Sequence, residues 1–324
     1  RTMPAADREV LLDWLGSGAK PVVSKDAPNG NAIEREPKND RDAEAADEPT
    51  WLNGRPDKVI SALQTYEVPA DGYVDYRYAI LPYVFLDDTW VQGVEILPDN
   101  PRVVHHCNLG FVPLGEDARR AKLLTGYVPG VEPMMLDGGL AAKIPAGSVL
   151  GLQIHLVTTG KRETCRLRVG LKFAKERVQK ELRYIELSEN KFAIPPHAPF
   201  HPISKSKTIE CDATIRAYFI HMHLRGKNAT FKAYPPDGRP QTLLIVPNYS
   251  FDWQMPYQVA DGQVKISAGT RLECSAHFDN SRFNPFNPDP TDTVRYGDQS
   301  HEEMMFGFVF YTRDDEKLDL KIDP

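Results

Sequence analysis

The sequence predicts an all-β chain of two antiparallel, jelly-roll-like sandwiches, preceded by a short N-terminal helix and a linker. Three observations predict it. From Trp51 onward, short segments rich in β-branched and aromatic residues alternate with turn signals. The 27 prolines cluster between those segments, which suits short strands and ordered loops rather than long helices. A proline-dense stretch, "FAIPPHAPFHPIS", splits the segments into two sets.

Taken in order, "MPAADREVLLDWLGSGAK" reads as one amphipathic helix ending by residue 18. Pro4 suits its first turn, Val10, Leu11, Trp14 and Leu15 form an apolar stripe, and Gly16 and Gly18 stop it. Residues 19–50 are polar, charged and nearly free of large apolar side chains, the composition of a linker. The first sandwich is expected over 51–195. Its strands are "YVDYRYAIL", "TWVQGVEILP", "RVVHHCNLGFV", "SVLGLQIHLVTT" and "CRLRVGLKFA", separated by "PADG", "LPDNP", "IPAG" and "TTGKR". The second is expected over 196–324, with strands in "KTIECDATIRAYFIHMHL", "ATFKAYPP", "QTLLIVPN", "QVKISAG", "TRLECSAHF" and "EMMFGFVFYT".

Bulk properties narrow the function classes. Lys plus Arg total 39 against 45 Asp plus Glu, a formal charge of −6, so no nucleic-acid or other polyanion partner is expected. No run approaches the roughly 18 apolar residues of a membrane span. The four cysteines, Cys107, Cys165, Cys211 and Cys274, include no C-x-x-C pair. Two in each half suit one disulfide per domain in an oxidising compartment; four buried thiols are the equal alternative. The chain opens on Arg1, and an export signal upstream of it is expected.

The chemistry lies in the histidines. "YFIHMHLRGK" places His221 and His223 two apart. On a strand such residues share a face, about 7 Å apart along the chain, and can converge on one ion. For an isolated pair, carbonyl-bonded core histidines are the ordinary reading. "VVHHCN" adds His105 and His106, and "LQIHL" adds His155, together a plausible three-nitrogen site in the first sandwich. Neighbours on a regular strand point to opposite faces, so His105 and His106 reach one ion only if a bulge or strand end turns one of them. In "GDQSHEEMMFGFVFY", Met304 and Met305 read either as gap-filling core residues or as a thioether source. Two imidazoles and a thioether are soft to borderline donors that suit copper, Cu(I) above all. Cys107 beside His106 invites a blue-copper site, but no cysteine is followed by the tight His and Met loop such a site needs.

The order H-H, "LQ-x-H", H-x-H before a glycine turn, then acidic-"EM" resembles the ascorbate-dependent type II copper monooxygenases, the family of peptidylglycine α-hydroxylating and dopamine β-monooxygenases. The resemblance covers roughly residues 70–311. "HMHLRGK", "NYSFDWQMPY" and "GDQSHEEMM" look closest to bacterial members, which often follow a c-type cytochrome module, and "REVLLDWLGSGA" looks like such a module's last helix. The resemblance implies two copper ions, one per domain. His105, His106 and His155 match the ligands of the electron-transfer copper. His221, His223 and Met304 match those of the oxygen-binding copper, the first Met of "EEMM" aligning with the family's "DEM". It further implies two sandwiches facing each other across an open, solvent-filled cleft; an exported protein, periplasmic or extracellular, is expected. The expected chemistry is hydroxylation of a substrate C–H bond with O2 and an external reductant, either ascorbate or the haem of a cytochrome c partner.

Departures from the family matter too. Phe219 stands where the peptide enzyme has a substrate-binding Arg, and Phe306 and Phe308 stand where it has Asn and Tyr. If these rings line the cleft, the substrate is a small apolar or aromatic molecule. His197 and His201 are expected to play no catalytic part; His277 reads as a carbonyl-bonded loop residue ahead of a partner to a ligand, and His301 as an exposed residue ahead of one that approaches the second copper. Asp298, Gln299, Glu302 and Glu303 are expected to cap turns or meet solvent, with ligand orientation as the second possibility. Two other functions fit the same residues: a copper electron-transfer module without oxygenase activity, and a carbohydrate-binding sandwich with incidental histidines.

Overall fold

The computed structural model describes residues 50–175, 177–260 and 262–322. The expected helix over 1–18 and the linker, apart from Thr50, lie outside them. Among the described residues no helix is long and apolar enough to cross a membrane.

Alternating buried and exposed side chains fold the described chain into two antiparallel sandwiches. The first uses β1 (Lys58–Ser61), β2 (Arg77–Phe85), β3 (Thr89–Pro98), β4 (Val104–Pro113), β5 (Lys122–Tyr127), β6 (Leu140–Ile144), β7 (Ser148–Leu156) and β8 (Leu167–Phe173). One of its sheets runs β1-β8-β3-β6 and the other β2-β7-β4-β5. Between them lie Val94, Ile96, Leu109, Leu150, Leu152, Leu167 and Leu171, all buried. The second sandwich uses β9 (Arg183–Ser188), β10 (His201–Thr208), β11 (Ala213–His221), β12 (Gly226–Tyr234), β13 (Gln241–Val246), β14 (Arg271–Phe278) and β15 (Phe306–Arg313). Its sheets run β9-β15-β11 and β10-β14-β12-β13, around a core that includes Ile215, Tyr218, Phe231, Cys274, Phe278 and Met305. Gly307 is required there, because a Cβ on it would stand 2.7 Å from the Cys274 sulfur.

The all-β expectation holds, but the boundary at 195 does not. Strand β9 pairs with β15 from Arg183↔Tyr311 to Ser188↔Phe306, and so belongs to the second sandwich. The proline-dense stretch lies inside that sandwich. Ala193–Ile194 pairs with Val294–Arg295, and Pro202 sits in β10, an edge strand where a missing N–H is tolerated. The junction is the short passage from Glu181 to Arg183. It is reinforced by residues that follow β15. Val178 and Leu320 exchange backbone hydrogen bonds, and Leu318, Leu320 and Ile322 pack against Ala141, Ala174 and Val178 beneath Trp90.

All four cysteines are free thiols, which corrects the disulfide expectation. Cys274 packs against Gly307, while half-buried Cys211 lies among the charges of Arg313, Asp315 and Arg183. Cys107 and Cys165 are both buried in the first core, where burial pushes their thiols up, Cys165 to about 11.

Candidate metal centre

The bulge that adjacent histidines demand is present. In the β4–β7 pair, Val104 faces Leu156 and the next partnered residue, His106, faces His155, so the register shifts across His105. The extra residue turns the His105 side chain onto the side of the other two. The Nδ1 atoms of His105 and His106 lie 3.0 Å apart, and those of His105 and His155 3.2 Å apart. One ligand nitrogen from each of the three lies within 4.8 Å of the others, a group that could hold a metal ion. Nitrogens bound to one ion at about 2.0 Å with tetrahedral to square angles stand ~2.8–3.3 Å apart, so the donors are spaced for that role.

The second set forms differently from the strand pairing expected. Strand β11 ends at His221, and His223 lies beyond it, just before a turn at Leu224 and Arg225. Alternation persists past the strand end, because Met222 is fully buried in the core. Tyr249 holds that residue at both polar atoms, donating from its hydroxyl to the Met222 carbonyl at 2.5 Å and accepting from the Met222 N–H at 3.0 Å. Gly226 closes the turn because a Cβ there would strike Met222 at 2.7 Å and Tyr249 at 2.8 Å. The His221 Nδ1 pairs with Gln254 Oε1 at 2.6 Å, and the His223 Nδ1 with the Glu302 carbonyl at 3.2 Å. These bonds leave both Nε2 atoms free, and that of His223 is buried without a hydrogen-bond partner. A buried polar atom without a partner is costly, which makes this nitrogen a candidate metal donor. Met304 lines the same cavity as His221, whereas Met305 is fully buried in the core.

Glu303, expected on a turn or in solvent, is instead fully buried. Its carboxylate accepts from the backbone N–H of His223 at 2.9 Å, Arg225 at 2.6 Å and Met304 at 3.1 Å. One side chain thus ties the H-x-H segment to the methionine segment. Burial pushes its carboxyl up to about 7, against the opposing pull of those three N–H groups and the Arg225 charge. Arg225 is itself 1% exposed and donates to Asn280 Oδ1 and to the carbonyls of His301 and Asp289.

The two sets are not separated by an open cleft. The rings of His106 and His221 are 5.7 Å apart, and His106, His155, His221 and His223 are between 1% and 7% exposed. Apolar and aromatic neighbours have closed over them. Tyr76, from the segment before β2, stacks on His155 at 4.5 Å, bonds through its hydroxyl to His106 Nε2 at 3.2 Å and lies 6.2 Å from His223. Burial, reinforced by the neighbouring imidazoles, holds His106 and His223 well below the usual imidazole range. The same burial brings His155 to about 3, with His105 and His221 adding to it. For His221 it gives about 4, against the opposing hydrogen bond of Gln254. Neutral imidazoles are the metal-binding form.

A cavity of about 180 Å³ opens beside His221 and Met304. Phe219, Phe306 and Phe308 all line it, as do Tyr78 and Tyr296, with Glu186, Asp298 and Arg119 among its polar groups. The aromatic wall follows from register: Phe219 faces Phe308 and His221 faces Phe306 across β11 and β15.

The other histidines stand apart from this centre. His277 stacks on Phe200 at 3.9 Å and bonds Asn228, and His301 is exposed at the edge of Tyr73. Sequence reasoning gave no role to Tyr76, Arg225, Phe251, Asp252 or Gln254. The last three lie in "SFDWQMP", whose aromatic and polar side chains crowded between Pro247 and Pro256 are the composition of an ordered functional loop. Tyr76 carries no comparable signal.

No family model matches the chain, and no curated protein matches it. Among solved structures it is similar to the STIV MCP, with a TM-score of 0.32 and 8% identity over 79% of this chain and 96% of that one. It is also similar to the structures of the infectious bursal disease virus Gt strain (TM-score 0.23, 9% identity, 79% of this chain and 72% of that one) and Gx strain (0.24, 10%, 79% and 71%).

Proposed function

We propose that the protein is a copper-dependent monooxygenase that hydroxylates a C–H bond of a small apolar or aromatic molecule, consuming O2 and two electrons from an external reductant and releasing water. The observation that carries this reading is the sorting of ring nitrogens. Three Nδ1 atoms gather in the first sandwich, two Nε2 atoms are left free in the second, and an aromatic cavity opens beside one of the latter. His105, His106 and His155 would hold one ion, and His221, His223 and Met304 the other. Imidazole and thioether donors favour copper over hard cations. Copper held there would supply one-electron chemistry toward O2.

The protein's own residues do the rest. Phe219, Phe306 and Phe308 receive the apolar body of the substrate beside His221 and Met304. Tyr76 and the close packing of the two sets keep bulk water from the centre. Ascorbate or the haem of a cytochrome c partner would deliver the electrons.

The test is copper stoichiometry, X-ray absorption of the Cu(I) protein, and O2 uptake across a panel of small aromatic and aliphatic substrates. Two coppers, one with a sulfur scatterer, and reductant-dependent uptake matched by hydroxylated product are expected. Two coppers with rapid electron exchange but no product would instead identify an electron-transfer module. No copper uptake would end the metal reading.

A further inference from the structure

One segment of the second sandwich touches the histidines of both. It runs from Ser250 to Met255, between β13 and the short strand Tyr257–Gln258. The Phe251 ring stacks on His105 at 4.6 Å and lies 6.0 Å from His106, 5.8 Å from His155 and 6.0 Å from His223. Asp252 Oδ1 is 2.8 Å from His105 Nε2, and Gln254 Oε1 is 2.6 Å from His221 Nδ1.

These contacts decide where protons sit. A neutral imidazole carries one N–H, and the other nitrogen presents a lone pair. A carboxylate only accepts, so Asp252 draws the His105 proton to Nε2 and leaves Nδ1, the atom facing His106 and His155, as the donor to a metal. Gln254 is itself oriented, because its amide nitrogen donates to the Phe251 carbonyl at 2.9 Å. Its oxygen must therefore be the acceptor, which puts the His221 proton on Nδ1 and frees Nε2. The two histidines are set in opposite tautomers by residues two apart on one strap.

We propose that Ser250–Met255 is a positioning strap through which the second sandwich completes the ligand set of the first. Asp252 and Gln254 select the metal-facing nitrogen of His105 and His221, and Phe251 holds the His105 ring in place. The first set then reaches its binding geometry only while the sandwiches are docked. Asp252 is 70% exposed, so its part is orientation rather than stability. Carboxylates behind ligating histidines raise metal affinity by about 10- to 100-fold. The inference rests on the copper reading for its metal but not for its tautomers.

The experiment therefore has two arms. In the first, long-range proton–nitrogen spectra of the metal-free protein report tautomers. Wild type is expected to show His105 protonated at Nε2 and His221 at Nδ1. Asp252→Ala should release the first, Gln254→Ala the second, and Asp252→Asn, which keeps an acceptor oxygen, should restore His105. In the second, chelator competition measures Cu(II) affinity. Asp252→Ala should weaken the three-histidine site about 10- to 100-fold and Asp252→Asn less, with the fold unchanged by circular dichroism. Correct tautomers without copper uptake would uphold the strap and reject the copper reading. Two bound coppers with tautomers unaltered in Asp252→Ala and affinity within about twofold of wild type, far short of the expected outer-shell effect, would overturn the strap.

Discussion

Removing the Glu303 carboxylate should be the most damaging single change near the centre. In Glu303→Ala the N–H groups of His223, Arg225 and Met304 lose their acceptor at once. A buried donor left unsatisfied costs about 1–3 kcal/mol, so three give ~3–9 kcal/mol. Relaxation and water entry favour the lower half, and we expect about 3–5 kcal/mol. Against a typical total of about 5–15 kcal/mol that is a large loss. Glu303→Gln keeps one acceptor oxygen but sets an amide N–H₂ against backbone donors, and should cost about 2–3 kcal/mol. Urea denaturation of the metal-free protein, followed by near-ultraviolet circular dichroism, measures both. The Cu(I) protein adds a second readout, because freeing His223 and Met304 should also weaken the sulfur scatterer. A midpoint for Glu303→Ala that corresponds to less than about 1 kcal/mol of destabilisation, below the cost of even one orphaned donor, would refute the reasoning.

Further predictions concern the proposed ligands, the aromatic cavity and acid stability. Met304→Ile should abolish the sulfur scatterer of the Cu(I) protein, while Met305→Ile should keep it and lower thermal stability, since Met305 packs in the core. Phe308→Ala should enlarge the cavity and shift product formation toward bulkier substrates, read as a change in relative kcat/KM across the panel. Metal-free protein should lose stability as pH falls below about 6.5, because the unfolded chain then binds protons that buried His106, His155, His221 and His223 refuse. Each contributes ~1.4 kcal/mol per pH unit until its folded value is reached, about 3 for His155 and about 4 for His221. His155→Gln should shallow that slope, and a flat urea midpoint from pH 7 to 5 would contradict the assignment.

Much of this was legible in the residues. Alternation and turn chemistry gave the sheets, and the need for a bulge at His105–His106 followed from strand geometry alone. Met304 and Met305 could be told apart only by motif order; in the fold one lines the cavity and the other packs in the core. The boundary went wrong because prolines mark an edge strand as well as a junction, and β9 resembles a first-sandwich strand until its partner at the far end of the chain is known. Glu303 was misjudged because a carboxylate buried under three backbone donors reads like any surface acid. The contact between the histidine sets, and the strap over them, depend on how two bodies dock, and no local pattern encodes that.

The returning segment at Leu318–Ile322 has a mechanical consequence. The sandwiches are joined covalently near Leu182 and stitched again where Leu320 meets Val178. These links act together with the strap contacts on His105 and the bonds of Tyr73 and Tyr76 to Gln299 in holding the sandwiches against each other. Entry of ions to the imidazoles that do not line the cavity must use local breathing or a loosening of those links. Cutting the second stitch, with a charge at Leu320 for instance, should let the halves gape and exchange their contents faster.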